Sequence, residues 1–381
     1  MRLAIVSRAE NVSGKEIMTL ELGAGLRTAG HEVSYVTSIW NDGGYQARLR
    51  ESGFDFREVP LGAISATLRW DCLTMTAGQL LRLPGLWAEY HRVLNAGQPE
   101  RVLHTSWHHL LLLWPYLNRS RDWFWAHEVL PDKPQYRWLF RRLARRICGF
   151  VAVSHAVRDA LVQLGVSPEQ VAVVHNGLQD LNPSGTGAQP DQGVVRIGIV
   201  GQVEEWKGHH DLLTALARIP AGVPRAEIHI YGSGSAPYRD RLRRQVVSLG
   251  IEDRVIWRGF VQDRSRIYQE LDLCAVPVPA GANEALPTVA IEAGFFGLPV
   301  VASRRGGLLE IIEDGVTGRL VDSGNVDQLS SCLQELISNA ELRKRLGSAG
   351  RHHVKTRFGR ERFVADFLHL MESHRGVSQD A

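Results

Sequence analysis

The chain has 381 residues, 44% of them hydrophobic and 22% charged, a composition typical of a globular protein with room for two domains. Its 44 basic and 41 acidic residues give a formal net charge of +3, a balance that argues against a nucleic-acid-binding protein. Four scattered cysteines without CxxC spacing argue against a zinc site or a disulfide framework, and they fit a reducing cytoplasmic environment.

Strand-like and helix-like segments alternate through the first half of the chain. The run RLAIVS, a helical stretch that closes at Gly30, and HEVSYVTS predict a βαβ opening. Further buried strands are predicted at ERVLHTS, DWFWAHE, CGFVAVS and QVAVVHNG. We therefore predict a Rossmann-like domain over residues 1–180. Within it, residues 41–66 carry no diagnostic motif and are expected to be acceptor-facing loops.

The segment 181–193, LNPSGTGAQPDQG, is rich in Pro, Gly and Ser and is predicted to be a linker. The alternation then restarts with the strand-like runs VVRIGIVG, AEIHIYGSGS, DRVIWRGFV, LDLCAVPV and LPVVAS. This pattern predicts a second doubly wound domain over 194–358. Residues 359–381 are expected to form a C-terminal helix that packs back on the N-terminal domain. The predicted class is α/β, with two Rossmann-like domains facing across a cleft.

The most informative segment runs from Asn283 to Ser303, NEALPTVAIEAGFFGLPVVAS. Pro287 suits the first helical position, while Gly297 and Pro299 end the helix, which predicts a helix from Pro287 to Phe296. It follows a predicted strand, so its N-terminus lies where open α/β sheets bind ligands. The first amides of such a helix favour an anion, for example a phosphate.

Two glutamates flank this helix start. Glu284 lies in the preceding loop, and Glu292 lies about 7 to 8 Å along the helix axis. One carboxylate can reach a sugar ring and the other a ribose, with phosphates between them. The alternative is that Glu284 is a solvated loop residue and Glu292 an ordinary exposed helix position.

Seven motifs occur in an order that resembles family 4 glycosyltransferases of the GT-B fold. They are VAVSHAVRDAL, VVHNGL, IGIVGQVEEWKGH, IYGSGS, WRGFV, NEALPTVAIEA and ASRRGGLLEIIEDGVTGRLV. The resemblance implies a retaining hexosyltransferase that moves a sugar from a nucleotide-diphosphate donor, UDP- or GDP-linked, to a hydroxyl acceptor. It implies no bound metal and no cofactor, and it fits the synthesis of a cell-surface polysaccharide or glycolipid.

The resemblance also assigns residues to the donor. Lys207 matches the second half of a basic pair that neutralises the diphosphate, but Gly201-Gln202 stands where the family usually carries arginine, and Gln202 supplies no charge. Glu284 matches the residue that faces the donor sugar, and Glu292 the residue that binds the ribose. The remaining expected donor contacts are Leu286, Pro287, Thr288, Val289, Gly234 and Phe260. Arg304 or Arg305 is expected to help compensate for Gln202.

The N-terminal domain contributes three expected site residues. His127 matches a family histidine that hydrogen-bonds the donor sugar; the alternative is a satisfied core histidine. Gly14 and Lys15 stand in a loop that usually reads Gly-Gly and approaches the donor phosphates or the acceptor. Lys15 would add positive charge there.

A basic amphipathic helix is predicted over residues 136–147, YRWLFRRLARRI. Its arginines are Arg137, Arg141, Arg142, Arg145 and Arg146. Such a helix can lie on an anionic membrane, which would make the protein peripheral on the cytoplasmic membrane face and favour a lipid-linked acceptor. The alternative is a core-packing helix with a solvated arginine face.

Two other functions remain open from the sequence alone. A nucleotide-sugar epimerase of similar fold would use the donor site without an acceptor. A non-enzymatic two-lobed sugar- or nucleotide-binding protein would not require Lys207 and Glu284 beside an anion-binding helix.

Overall fold

A computed structural model describes residues 1–8, 12–64, 70–185, 193–220 and 222–373. The chain divides into two compact units, one formed by Met1–Gly177 with the residues from Arg360 onwards, and the other by Leu178–Gly359. Each unit contains one parallel sheet with helices around it. The predicted α/β class with two Rossmann-like doubly wound sheets is therefore confirmed.

The described part of the first unit holds a seven-stranded sheet in the order β3-β2-β1-β4-β5-β6-β7. Its strands are β1 (Arg2–Ser7), β2 (Glu32–Ser38), β3 (Asp55–Val59), β4 (Arg101–His104), β5 (Asp122–Ala126), β6 (Gly149–Ala152) and β7 (Val171–Val173). All neighbouring strands pair in parallel. The central strands β4, β5 and β6 are buried at every position, as expected where helices cover both faces of a parallel sheet.

Helices alternate with the strands of this unit along the chain, as in a doubly wound fold. They are α1 (Gly14–Thr28), α2 (Gly44–Glu51), α3 (Trp70–Leu81), α4 (Leu83–Gly97), α5 (Trp107–Leu112), α6 (Pro134–Leu143), α7 (His155–Gln163) and, at the other end of the chain, α15 (Arg360–Ser373). Short 3-10 turns lie at Trp114–Tyr116 and Pro168–Gln170.

The expectation that residues 41–66 are loops was wrong, because α2 and β3 lie within that range. Strand β3 reads DFREV and occupies the edge of the sheet, where only Val59 is fully buried. An edge strand with mostly polar side chains lacks the apolar pattern by which buried strands are recognised. Residues 65–69 lie outside the described part of the chain.

The second unit, over its described residues, holds a six-stranded parallel sheet in the order β10-β9-β8-β11-β12-β13. The strands are β8 (Val194–Val200), β9 (Arg225–Tyr231), β10 (Val255–Gly259), β11 (Leu273–Val276), β12 (Val300–Ser303) and β13 (Gly318–Val321). The helices are α8 (His209–Ala217), α9 (Ala236–Leu249), α10 (Arg264–Gln269), α11 (Thr288–Phe295), α12 (Leu308–Ile311), α13 (Val326–Ser338) and α14 (Ala340–Arg357), with 3-10 turns at Glu205–Lys207 and Glu252–Arg254.

Strand order changes direction between β8 and β11 in this sheet. From β8 the chain adds β9 and β10 on one side, then returns to place β11, β12 and β13 on the other. At such a point the loops that leave the two adjacent strands diverge and open a crevice at their carboxyl ends. The loops after β8 and β11 carry Lys207 and Glu284, so the topology brings them to one edge.

Residues 178–182 are held by α14 of the second unit and by Gly359, which follows that helix. Leu178 pairs with Gly359, and Arg351 bonds to the Asp180 carboxylate at 3.2 Å and to the Asn182 carbonyl at 2.6 Å. Of the segment predicted as a linker, 181–193, residues 186–192 lie outside the described residues.

Helix α15 packs against α1 in the first unit. The Arg360 guanidinium donates to Glu21 at 2.6 Å, and the rings of Phe363 and Phe367 lie 5.9 and 5.6 Å from that of Trp125. Among the described residues, none of the helices is both long enough and apolar enough to cross a membrane.

Candidate functional site

The start of α11 offers backbone donors that have no partner within the helix. Pro287 was predicted to be the first residue of this helix, but it is the N-cap, and the helix begins at Thr288. Its side chain makes no capping hydrogen bond. The first helical residues, Thr288 and Val289, are half-buried, while Leu286 and Pro287 are buried. The amides of a first helical turn have no partner within the helix, and the positive end of the helix dipole favours an anion there.

Glu284 lies just before this helix start and is only 9% exposed. Its carboxylate accepts a hydrogen bond from the Lys207 ammonium, and the two side chains are 11% and 15% exposed. The interpretation of Glu284 as a solvated loop residue was therefore wrong. The Lys207 ammonium also lies 4.2 Å from the centroid of the Trp206 ring, a cation–π contact that helps to orient it.

Two glycines permit the close loop packing that holds this ion pair. Gly208 has φ +74°, and a Cβ at this position would lie 1.7 Å from the carbonyl oxygen of Pro277, after β11. Gly306 has φ +54°, and a Cβ there would lie 2.2 Å from the carbonyl oxygen of Glu284. The Gly307 amide donates to that same oxygen at 3.0 Å. Only glycine fits both the backbone conformation and the space at these positions.

Glu292 is 3% exposed on α11, so the interpretation of an ordinary exposed helix position was wrong. Its Oε1 accepts from Arg264 at 2.6 Å and its Oε2 from the Tyr268 hydroxyl at 2.8 Å. Burial and the Glu292 charge raise the pKa of Tyr268 well above its usual value, so the hydroxyl stays a donor.

Arg264 and Tyr268 were not singled out from the sequence. A signal was present, because they are four residues apart on α10 and therefore share one face of that helix. No local pattern, however, could identify the partner of that face. The partner is Glu292, which lies 28 positions after Arg264 and 24 after Tyr268.

The loops after β8, β9 and β10 lie side by side and carry the other expected donor contacts. The amide of Gly201 donates to the carbonyl of Tyr231 at 3.0 Å, that of Val203 to Ser233 at 2.8 Å and that of Gly232 to Gly259 at 2.7 Å. Gly234 is packed against the Val203 carbonyl. Gln202 is exposed on this edge, and the Phe260 ring is 72% exposed.

The two arginines expected to compensate for Gln202 differ in their partners. Arg304 bonds to Asp314 at 2.7 Å and lies 3.8 Å from Asp322, so its charge is met by two carboxylates. Arg305 donates to the side-chain oxygen of Asn283 at 2.7 Å, next to Glu284. Arg305 is thus bonded to the loop that carries Glu284.

In the first unit, His127 directly follows β5 and is half-buried. Its ring lies 4.3 Å from that of Trp125, and its Nε2 is buried without a hydrogen-bond partner among the described residues. Burial, and secondarily the Lys15 charge, lower the pKa of His127 well below its usual value, so the ring is neutral. A core histidine with satisfied nitrogens, the alternative interpretation, would not leave Nε2 without a partner.

Gly14 and Lys15 form the start of α1. Ser13 and Glu16 close a capping box around this turn, with the Ser13 amide donating to Glu16 at 3.1 Å. The Lys15 ammonium lies 3.3 Å from the Glu16 carboxylate and is 26% exposed. A partly exposed ammonium at a capped helix start can still reach a ligand.

Two family models match the chain. The model for Glycosyltransferase Family 4 matches residues 12–180, and that for Glycosyl transferases group 1 matches residues 189–353. Together they span both units. The chain belongs to the family 4 glycosyltransferases.

Curated relatives match the chain over part of its length. The lipopolysaccharide core biosynthesis glycosyltransferase LpsE of Rhizobium meliloti is 29% identical over 46% of this chain and 48% of LpsE. A D-inositol 3-phosphate glycosyltransferase of Corynebacterium aurimucosum is 29% identical over 60% and 59%. A GDP-mannose-dependent phosphatidylinositol monomannoside mannosyltransferase of Mycolicibacterium smegmatis is 34% identical over 38% and 39%. The chain thus spans about half the length of these relatives.

Solved structures match nearly the whole chain. Anabaena HepE in complex with UDP-glucose has a TM-score of 0.80 at 20% identity, over 98% of this chain and 100% of HepE. A glycosyltransferase from Rickettsia africae has a TM-score of 0.80 at 18% identity, over 99% of each chain. At these identities the likeness shows the fold, which is GT-B.

Proposed function

We propose that the protein is a retaining glycosyltransferase that moves a hexose from a nucleoside-diphosphate sugar to a hydroxyl group of an acceptor. The observation that carries the proposal is the Lys207–Glu284 pair beside the N-terminus of α11, at the point where the strand order of the second sheet reverses. A half-buried cation and helix amides that have no partner within their helix together suit a diphosphate.

The donor diphosphate is assigned to the amides of Thr288 and Val289 and to the Lys207 ammonium. The leaving diphosphate gains negative charge as the glycosidic bond to phosphate breaks, and donors already aimed at it stabilise that charge without reorganisation. Arg305 donates to the side chain of Asn283, the residue before Glu284. We propose that it supplies near the phosphates the positive charge that Gln202 lacks. Gln202 and Gly201 are proposed as neutral hydrogen-bond donors to the same phosphates.

The ribose is assigned to Glu292. An ionised carboxylate has about four lone-pair sites, and Arg264 and Tyr268 use one on each oxygen. The remaining sites can accept from the two ribose hydroxyls, while the two donors fix the rotamer of Glu292. Leu286, Pro287, Gly234 and Phe260 are proposed to line the sugar and base around it.

The reaction proposed is a front-face displacement. The bond between the anomeric carbon and the diphosphate oxygen breaks, the acceptor oxygen bonds to the same face of that carbon, and its proton passes to the leaving diphosphate. Catalysis is then mostly positioning and charge stabilisation. Glu284 is proposed to face the donor sugar and His127 to hydrogen-bond it, while Gly14 and Lys15 are proposed to approach the donor phosphates or the acceptor.

The relatives narrow the proposed substrates. HepE was solved with UDP-glucose, and the mycolicibacterial relative is named for GDP-mannose and a phosphatidylinositol mannoside. We propose a UDP- or GDP-linked donor and a glycan or lipid-linked acceptor in the synthesis of a cell-surface polysaccharide or glycolipid.

Contact with an anionic membrane surface through the arginines of α6 and the turn after it is also proposed. The apolar side of α6 is taken up by the core, since Leu139, Phe140 and Leu143 are buried. What remains for a membrane is the exposed Trp138 and the exposed arginines Arg137, Arg141, Arg142, Arg145 and Arg146. Flotation with anionic and with neutral vesicles tests this contact, and equal binding to both would contradict it.

The donor site is tested by calorimetric binding of UDP, GDP and ADP in EDTA. We expect one nucleotide to bind, and Lys207→Ala and Glu292→Ala each to weaken it, whereas no binding of any nucleotide would reject the site. Incubation with the matching sugar nucleotides then tests transfer. A glycosylated acceptor with the donor's anomeric configuration is the expected product, and an epimerised nucleotide sugar alone would instead identify an epimerase.

A further inference from the structure

A groove of about 720 Å³ lies in the first unit, at the amino-terminal edge of its sheet. Arg2 begins β1, and Glu100 and Arg121 directly precede β4 and β5. These three strands are neighbours in the sheet, so the groove crosses the start of all three. The last two turns of α4 and the 3-10 turn Trp114–Tyr116 line its sides. Its volume is typical of a site for a small ligand.

The groove lies far from the residues of this unit that are proposed to take part in sugar transfer. Its residues precede the strands, whereas Gly14 and Lys15 follow β1 and His127 follows β5. In a parallel sheet these positions lie at opposite edges. The six residues of β1, at about 3.3 Å per residue, separate the two edges by roughly 17–20 Å. The groove is therefore a separate candidate site.

Gln98 holds a strained backbone conformation at the side of the groove. It has φ +37° and ψ +58°, and it is the one non-glycine residue with a positive φ in the described part of the chain. Its amide donates to the Leu94 carbonyl at 2.8 Å and ends α4, a role that glycine fills without strain. Strained residues cluster at functional sites, so a glutamine in this position indicates that its side chain has a use.

Polar groups of the groove have hydrogen-bonding capacity that the described residues do not use. The side-chain amide of Gln98 has no partner among them. The side-chain oxygen of Asn118 accepts from the amide and the hydroxyl of Ser120 at 2.9 and 2.7 Å, but its NH2 group has no partner within the same residues. Gln98 and Asn118 are both exposed, so their amides are available to a ligand.

The charges in the groove compensate one another. The Arg121 guanidinium donates to the buried Asp122 carboxylate at 3.1 Å. The Glu100 carboxylate accepts from the Arg2 amide at 3.0 Å, and the Arg2 guanidinium donates to the Gln98 carbonyl at 3.1 Å. Two cations thus stand beside two carboxylates, and a site balanced in this way attracts a phosphate or another anion only weakly.

We propose that this groove binds a neutral oligosaccharide. Each sugar hydroxyl both donates and accepts a hydrogen bond, and the planar amide, carboxylate and guanidinium groups of the groove match pairs of neighbouring hydroxyls. The C–H face of a sugar ring is apolar and packs on an aromatic ring. Tyr116 provides such a ring in the groove, and its centroid lies 5.6 Å from that of Tyr90 in an edge-to-face contact that holds it in place.

The test is binding of the unaltered protein to an array of neutral oligosaccharides of glucose, mannose, galactose and N-acetylglucosamine, followed by calorimetric titration of those that bind. Gln98→Gly should weaken this binding by about fivefold or more, because a side chain that bonds to the sugar is lost. The same change removes the backbone strain, so it should not lower the unfolding temperature. Weaker binding by this variant is then not a consequence of unfolding.

Two further variants locate the site. Tyr116→Leu keeps an apolar side chain but removes the ring, and it should also weaken binding. Arg92→Ala is the control on α4, because Arg92 pairs with Glu89, has a side chain that is 70% exposed and does not line the groove. It should bind oligosaccharides like the unaltered protein. All three variants should bind the nucleotide as the unaltered protein does, because none of these residues belongs to the proposed donor site.

Absence of binding to every neutral oligosaccharide of the array would overturn the proposal. So would equal binding by Gln98→Gly and the unaltered protein, which would assign the sugar to another site, such as that of the acceptor. Binding of inorganic phosphate that Arg2→Ala abolishes, without binding of any sugar, would identify an anion site instead. The inference requires no nucleotide donor and no Lys207, so it can fail while the transfer reaction proposed above stands.

Discussion

The Lys207–Glu284 ion pair leads to a specific prediction about the affinity for nucleoside diphosphates. In the structure Glu284 already accepts from the ammonium that is proposed to bind the diphosphate. A bound diphosphate must therefore compete with Glu284 for Lys207, and the two anions also repel each other. We expect Glu284→Gln to bind the nucleoside diphosphate more tightly than the unaltered protein does, although it loses turnover.

The size of the effect follows from burial and charge. Two unit charges about 4 Å apart interact by about 4 kcal/mol at an effective dielectric constant near 20. The side chains of Lys207 and Glu284 are 15% and 11% exposed, so some of this interaction is screened by solvent, and desolvation offsets more of it. A net gain of about 1–2 kcal/mol corresponds to roughly five- to thirtyfold tighter binding.

The assay is calorimetric titration of UDP and GDP in EDTA, combined with initial rates of transfer. Lys207→Ala should bind about ten- to a hundredfold more weakly, since it removes a hydrogen bond between charged groups. In Lys207→Ala/Glu284→Gln the part of the gain that comes from releasing Lys207 should vanish, while the part that comes from removing the repulsion between the two anions should remain. Glu205→Gln is the matched control, because Glu205 lies in the same turn but pairs with Arg241 and is 70% exposed.

Unchanged or weaker nucleotide binding by Glu284→Gln would refute this reasoning. It would mean that the carboxylate does not hold Lys207 away from the phosphates, or that Lys207 does not bind them. Thermal unfolding of each variant is needed alongside the titrations, because Lys207→Ala leaves a nearly buried carboxylate without its cation.

Three further predictions concern the residues around this site. Tyr268→Phe removes the hydroxyl that donates to Glu292 at 2.8 Å, and it should lower the free energy of unfolding in urea titrations by about 1.5–3 kcal/mol. It should also reduce the preference for UDP over its 2′,3′-dideoxy analogue. An unchanged preference would show that Glu292 does not bind the ribose. Burial lowers the pKa of His209 to about 4, so between about pH 6.5 and 4 the unfolded chain binds more protons and stability should fall with falling pH, by up to about 3 kcal/mol from this residue. His209→Gln should flatten the stability–pH curve in that window, and an unchanged curve would show that His209 does not titrate there. Gly208→Ala places a Cβ 1.7 Å from the carbonyl oxygen of Pro277, at a residue with φ +74°. We therefore expect the free energy of unfolding to fall by more than about 2 kcal/mol and nucleotide binding to weaken. Gly222→Ala, at φ +93° and with nothing within 4 Å of the added Cβ, is the control that measures the backbone strain alone.

Much of the architecture was readable from the chain because its signals are local. A buried parallel strand is a short apolar run, and an amphipathic helix repeats every 3.6 residues, so the βα alternation in both halves was visible. The bounds of α11 were predicted to within a residue by Pro287 and Gly297. Where the local signal was weak, as in the polar edge strand β3, prediction failed.

The sequence by itself determined the two parallel sheets, the order of the motifs and the residue types at the donor site. Only the tertiary structure decided which side chains meet. Lys207 and Glu284 are 77 positions apart, and they pair because β8 and β11 are neighbours and because Gly208 and Gly306 let their loops touch. The same holds for Glu292 with Arg264 and Tyr268. Periodicity reports which residues share a face, but the order of strands and the packing of loops decide what that face contacts.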